Sequence, residues 1–387
     1  MRQPFYALAT LALLLAACGD NTSTPAAPAT TVKAGVGSPV TPSGKARIAL
    51  LLPLSGQAAP IGQALQQAAE LALFDTGAKD LALAAYDAGE TPEAAIEAYR
   101  KARTDGVALV LGPLFGASAR ALAPLVAQGG VNVISFSNDE QVAQRGIFIM
   151  GIAAPPQVRR VVDYAAEQGF RRFAVLAPQT SYGEQMALTL EAQVPQRGGT
   201  VAGVEFYDPN TADPGASARK LAGTVSGSDR IAILVPVGPP RLSGVLGGLG
   251  AAGLDNRAAQ YLGTGVWDVP NIGTDPAARG GWYAAPDPAA RADFERRFAA
   301  TYGKPPNRLA TLAYDAVALA ANLARLKPGG DFSAEAITNP SGWSGVDGIF
   351  RFLPNGRSER ALAVIEVQSN RGVVVSPAPT NFARPSL

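Results

Sequence analysis

From Arg47 onward, short runs of consecutive apolar residues alternate with longer stretches in which apolar residues return every three or four positions. The short runs suit strands buried on both faces, and the longer spacing suits helices that bury one stripe. The first pair is a strand over Arg47–Leu52 and, beyond the Pro53–Ala59 loop, a helix with Leu65, Ala68, Ala69, Ala72 and Leu73 on one face, ending near Gly77. Strands over Leu81–Tyr86, Val107–Leu111, Val131–Phe136 and Ile147–Ile152 follow. Thr91-Pro92-Glu93 reads as an N-cap with proline at the first helical position, opening a helix to about Thr104, and a further helix runs from Ser118 to Gln128.

The rhythm then restarts. Helices over Gln157–Gln168, Glu184–Val194, Gly215–Thr224 and Arg241–Ala252 are interleaved with strands over Phe173–Ala177, Thr200–Phe206, Arg230–Val235 and Gln260–Gly263. Pro288–Tyr302 and Arg308–Leu326 read as strong helices, and Gly348–Leu353 with Ala361–Val367 as a terminal hairpin turned by Pro354-Asn355-Gly356. Strands regularly separated by helices mean parallel α/β, and the stretch exceeds one ordinary core, so two lobes are expected.

The residues before Arg47 follow a different pattern. Arg2 and an apolar run from Phe5 to Leu15 end in Leu15-Ala16-Ala17-Cys18, the layout of a secretory signal peptide spanning residues 1–17. The run is too short for a retained transmembrane helix, which needs about 20 apolar residues. Leu-Ala-Ala-Cys resembles the lipobox of bacterial lipoproteins, which implies cleavage before Cys18, acylation of its sulfur and new amino terminus, and a lipid anchor in a membrane. Within such families an aspartate after the cysteine signals retention; Gly19 stands there, implying the outer membrane and a periplasmic domain. Residues 18–46 hold Pro25, Pro28, Pro39 and Pro42 among small and polar residues and read as a tether. As a flexible coil, the part from Gly19 to Gly44 has a reach of about 28 Å. Residues 377–387 read as a C-terminal tail.

Composition narrows the function classes. Cys18 is the single cysteine, so no disulfide can form, and a formal charge of +2 with no basic block offers nothing to nucleic acid. There is no histidine, which excludes Ser-His-Asp and Cys-His catalysis, histidine-ligated zinc and the usual near-neutral proton shuttle. A carboxylate or lysine enzyme is left open, but the chain reads as non-enzymatic, with no cofactor. Gly248-Leu-Gly-Ala-Ala-Gly253 has the spacing of a dinucleotide fingerprint but closes a helix and precedes a strand, whereas the fingerprint lies between a strand and the start of a helix.

The polar residues just past the strands are Ser55, Asp87, the Gly112–Ser118 loop, Ser135, Ser137, Asp139 and the Thr180–Gly183 turn. Ligands of open α/β sheets bind along that edge. Ser118, at a helix start, is placed to help hold a carboxylate, or to serve as a plain N-cap, which needs the same residue type.

Ile48-Ala-Leu-Leu-Leu-Pro-Leu-Ser-Gly56, Gly112-Pro-Leu-Phe-Gly-Ala-Ser118, Val133-Ile-Ser-Phe-Ser-Asn-Asp139, Ser181-Tyr-Gly-Glu184 and Leu312-Ala-Tyr-Asp-Ala-Val317 together resemble the type I periplasmic binding proteins of the leucine/isoleucine/valine group. The resemblance implies two Rossmann-like lobes joined by three crossovers, near Ala153, near Tyr283 and between Lys327 and Gly345, with ligand trapped between them. The lobes would comprise 47–153 plus about 284–327, and 154–283 plus about 345–376. Carried over residue by residue, the pocket serine after the third strand falls on Gly116 or Ser118, and the pair after the fourth on Ser137 and Asp139. The aromatic before glycine is Tyr182. A second pocket tyrosine is replaced by Val237 and Gly238, and the acidic partner of the ligand ammonium falls near Gly265, with Asp268 close by. The ammonium side is therefore weak. The tail, Gly345-Val-Asp-Gly-Ile-Phe-Arg-Phe352 with Arg360-Ala-Leu-Ala-Val-Ile-Glu-Val367, resembles the penicillin-binding-protein activator branch, outer-membrane lipoproteins that stimulate peptidoglycan synthases. The large helical-repeat domain of its best-known members is missing from this chain. Two partners follow: a peptidoglycan synthase for a cell-envelope regulator, placed first on the anchor and the weak ammonium side, or an ABC permease for a receptor of branched-chain amino acids or related polar solutes.

Overall fold

The computed structural model describes residues 44–211, 213–225, 230–369 and 371–382. Cys18 and nearly all of the expected tether lie outside the described residues.

The first lobe is built on β1 (Ala46–Leu52), α1 (Ala59–Thr76), β2 (Leu81–Asp87), α2 (Pro92–Thr104), β3 (Leu109–Leu111), α3 (Gly116–Ala127), β4 (Val133–Ser135) and β5 (Ile147–Ile149). Its five strands are all parallel, in the order β2-β1-β3-β4-β5. Side chains of β1 alternate between two cores: Ile48, Leu50 and Leu52 meet α1 on one face, while Ala49 and Leu51 meet α2 and α3 on the other. Burial on both faces is why the strand reads as a continuous apolar run.

The second lobe contains α4 (Ala154–Glu167), β6 (Arg172–Pro178), α5 (Ser181–Gln196), β7 (Thr200–Tyr207), α6 (Gly215–Thr224), β8 (Ile231–Leu234), α7 (Arg241–Ala251), β9 (Ala259–Gly263) and β10 (Trp282–Ala285). The chain then returns to the first lobe through α8 (Pro288–Tyr302), α9 (Ala310–Arg325), α10 (Ala334–Ile337), β11 (Phe350–Phe352) and β12 (Ser358–Arg360), and ends in β13 (Ala363–Val367) and β14 (Gly372–Ser376) of the second. The seven-stranded sheet runs β14-β13-β10-β9-β8-β6-β7, with β13 antiparallel to both β10 and β14. Helices α4 and α5 cover one face, and α6 and α7 the other.

Several expectations need correction. The crossing expected near Tyr283 comes at Pro286 and Asp287, between the end of β10 and the start of α8. The turn at Pro354-Asn355-Gly356 does make a hairpin, but its return strand is β12, not Ala361–Val367. This hairpin belongs to the first lobe. Phe350 and Phe352 enter the core beside Phe148, and Ile149 donates its N–H to Gly356 O across the open edge of β5. The third crossing accordingly falls at Ala361 and Leu362, after the hairpin and not between Lys327 and Gly345. The Gly248–Gly253 run closes α7 and precedes β9, with Gly253 at φ 86°.

Candidate functional site

The carboxyl ends of β1, β3 and β4 in one lobe and of β6 and β9 in the other face a cavity of about 500 Å³. That size suits a small organic molecule, and it lies at the sheet edges where such ligands bind. Ile61, Leu114, Phe115, Phe136 and Leu312 make the first lobe's wall largely apolar. The second lobe supplies Gln157, Tyr182, Gly265 and Asp268.

The expected site residues separate into three that line this cavity and four that do not. Ser137 lines it; its Oγ also accepts the Asp139 N–H at 3.1 Å. Tyr182 lines it from the first turn of α5, its hydroxyl 2.8 Å from Thr264 Oγ1, and burial pushes the tyrosine pKa up. Asp268 lines it just past β9.

Ser55 is exposed and hydrogen-bonds the Asp87 carboxylate, which also accepts the Leu54 and Gly89 N–H groups, so it fastens the loop after β1. Ser135 is buried and donates to Pro113 O at 2.8 Å while accepting the Ser137 N–H, bracing two loops against each other. Asp139 caps the turn at Gln141 and pairs with exposed Arg120 at 3.1 Å. Ser118 is not the residue that opens its helix. Phe115 is the N-cap and Gly116 the first helical residue, which leaves Ser118 buried in the first turn with its Oγ unbonded among the described residues. Gly116 takes its place on the cavity wall, and a Cβ there would sit 3.1 Å from Ser137 Oγ.

Two contributors were not anticipated. Gln157 uses its amide to fasten the second lobe's wall, donating to Ile152 and Ala153 carbonyls and accepting the Gly265 N–H. Arg308, just before α9, is the centre of a charge cluster. Its Nη1 lies 3.1 Å from Asp347 Oδ2, and its Nε 3.5 Å from Asp268 Oδ2. Arg291 of α8 stands 3.2 Å from the same Asp268 oxygen and 3.8 Å from Asp347 Oδ1. Burial works against the Arg291 charge, but Asp268 and Asp347 outweigh it and hold its pKa above the ordinary value. Asp347 is fully enclosed; burial opposes its charge, yet Arg308, Arg360 and the Thr311 hydroxyl keep its pKa below the ordinary carboxylate value. The cluster joins the lobes, because Asp268 belongs to the second while Arg291, Arg308 and Asp347 belong to the first. No sequence signal pairs these residues, which lie on separate elements.

Residues 45–372 match a family model described as periplasmic binding protein. An uncharacterized protein of Rickettsia prowazekii is 23% identical over 163 residues, covering 42% of this chain and 43% of the relative, so the match spans under half the length of that relative. A protein from Rhodospirillum rubrum assigned to a branched-chain amino acid ABC transporter superposes with a TM-score of 0.74 at 21% identity, covering 86% of this chain and 100% of its own. A solute-binding protein of an ABC transporter from R. palustris, in complex with benzoate, gives a TM-score of 0.60 at 18% identity, over 88% of this chain and 98% of its own. At these identities the structural likeness establishes the fold.

Proposed function

The chain belongs to the periplasmic binding protein family, and from that premise we propose that it is the solute-binding receptor of an ABC importer. The observation that carries the reading is the cavity of about 500 Å³ walled by both lobes, apolar on one side and furnished with a few fixed polar groups on the other. That division of labour suits a small organic solute whose body is gripped by one lobe and whose polar end is oriented by the other. The benzoate held by the R. palustris neighbour is a solute of this size and kind. Anchoring through an acylated Cys18 belongs to the same proposal, with the anchor in the inner membrane that holds the permease, in place of the outer-membrane address that Gly19 implies.

This reverses the order in which sequence reasoning placed the two functions. Of the residues that resemble the activator branch, Phe350 and Phe352 lie in the first lobe's core and Asp347 in its ion cluster, while Ala363–Val367 forms β13 of the second lobe's sheet. Buried in this way, these residues lend no support to the synthase reading, which is why it is placed second.

A thermal-shift screen of the purified chain against branched-chain and aromatic amino acids, their deaminated acids, benzoate and muropeptides tests the reading. A solute at 100 times its dissociation constant should add about 2.7 kcal/mol of stability. Sugars and polyamines complete the screen as solutes without a carboxylate, and a flat response to every solute overturns the receptor function.

A further inference from the structure

We propose that the cavity takes a small carboxylic acid with an apolar body and no α-ammonium group, because the two arginines that hold Asp268 across the cleft occupy the carboxylate an ammonium would need. The proposal rests on the receptor reading and adds the ligand class to it.

An α-amino acid buried between two lobes needs a partner for each of its charges, because an ion removed from water without one is strongly disfavoured. Asp268 is the acidic side chain on the cavity wall among the described residues. A single oxygen of it, Oδ2, already faces Arg291 Nη1 at 3.2 Å and Arg308 Nε at 3.5 Å. An ammonium approaching this carboxylate therefore finds one of its oxygens already held by two guanidinium groups. Neither arginine is free to withdraw. Arg291 is also 3.3 Å from Glu295, and Arg308 holds Asp347, whose side chain is 0% exposed. Moving either strips a buried carboxylate of a partner, which is costly where the dielectric is low.

A carboxylate meets the opposite situation. Arg308 stands on the cavity wall with 35% of its side chain exposed, and its Nη2 makes no hydrogen bond among the described residues. Guanidinium is the side chain best matched to a carboxylate, by charge and by its planar fork. The apolar wall of the same lobe, Ile61, Leu114, Phe115, Phe136 and Leu312, suits a branched chain or a ring. What remains is a solute with one negative end and an apolar body.

Calorimetric titration of the full chain with matched pairs tests this, using 4-methylpentanoate against leucine and 3-phenylpropanoate against phenylalanine. The members of each pair differ in the α-amino group alone. At least one acid should bind ten-fold or more tightly than its amino partner. Asp268→Asn takes one carboxylate from each guanidinium, leaving them held by Glu295 and Asp347, and should tighten the acid further without admitting the amine. Arg308→Ala should weaken the acid at least ten-fold and narrow the ratio. Circular dichroism of each variant guards against misfolding, and Arg308→Lys, which keeps the charge but loses the fork, should fall between Arg308→Ala and the native chain. An amino acid binding as tightly as its deaminated partner, or lost on Asp268→Asn, overturns the proposal. So does a screen in which only solutes without a carboxylate stabilise the chain, although the receptor reading then stands. A screen in which nothing binds removes the receptor reading itself.

Discussion

The two lobes open with the same unit, yet only one of them delivers its polar loop to the cavity. In the first, β1 leads to Pro53 and then α1; in the second, β6 ends at Pro178 and leads to α5. Each helix carries a glycine near its start against the proline carbonyl. A Cβ on Gly62 would lie 1.9 Å from Pro53 O, and one on Gly183 2.0 Å from Pro178 O. The loops differ. Thr180 caps α5 itself through the Gly183 N–H, so the loop is short and Tyr182 falls on the cavity wall beside Thr264. Helix α1 lacks a side-chain cap of its own; Glu90, from beyond β2, accepts the Ala58 N–H at 2.7 Å. The longer loop is pinned back to Asp87 and Glu90, and Ser55 goes with it, away from the cavity. A polar residue after a strand marks a ligand site only when the loop is short enough to point it there.

The largest effect should come from the cluster that links the lobes. Arg291→Ala leaves Asp268 and Asp347 short of a partner, and a cost of about 3–5 kcal/mol is expected in denaturant unfolding. A change below about 1 kcal/mol would mean that the arginine bridges nothing of consequence. The shared opening unit predicts a matched pair: Gly62→Ala and Gly183→Ala should each cost about 1–3 kcal/mol, because the neighbour is backbone with little room to yield. A large cost in one lobe and none in the other would break the equivalence.

The first lobe carries a pH signature, a buried carboxylate raised to near neutrality, that no described residue of the second lobe shows. Burial pushes Asp315 of α9 up to about 7, with Arg360 at 3.6 Å opposing and Asp347 reinforcing the shift. The folded state then holds a proton that the unfolded state, with an ordinary carboxylate, releases near pH 4. Its stabilising contribution is complete below that pH and is lost as pH rises through 7, at up to about 1.4 kcal/mol per pH unit. Asp315→Asn should therefore gain on the native chain between pH 5 and pH 8. Parallel stability curves would count against a protonated Asp315. The smallest effect belongs to Tyr182→Phe, which leaves the Thr264 hydroxyl without its partner and should cost about 1 kcal/mol.

Much of the fold was legible because burial imposes a pattern. Strands covered on both faces, such as β1 and β6, announce themselves as apolar runs, and α9 shows its stripe. Short or polar strands did not: β10 is four residues long, β12 is Ser358–Arg360, and the apolar β13 drew the hairpin assignment to itself although it pairs with β10. Tyr182 and Ser137 were within reach, since short loops after strands place them. Ser118 was displaced because α3 begins two residues earlier, at Gly116. Arg291 and Arg308 were beyond reach for a different reason. Their partners Asp268 and Asp347 are 23 and 39 residues distant along the chain, Asp268 on the other lobe and Asp347 on a separate segment of the same one.

The most direct test of a solute held by both lobes is amide hydrogen exchange of the full chain with and without saturating 3-phenylpropanoate. Slowed exchange is expected on both walls, over Leu114–Ala117 in the first lobe and Gly265–Trp267 in the second, with the distant edge strands β2 and β7 unchanged. Slowed exchange confined to one lobe, or lying away from these walls, would contradict a cleft that closes on its ligand.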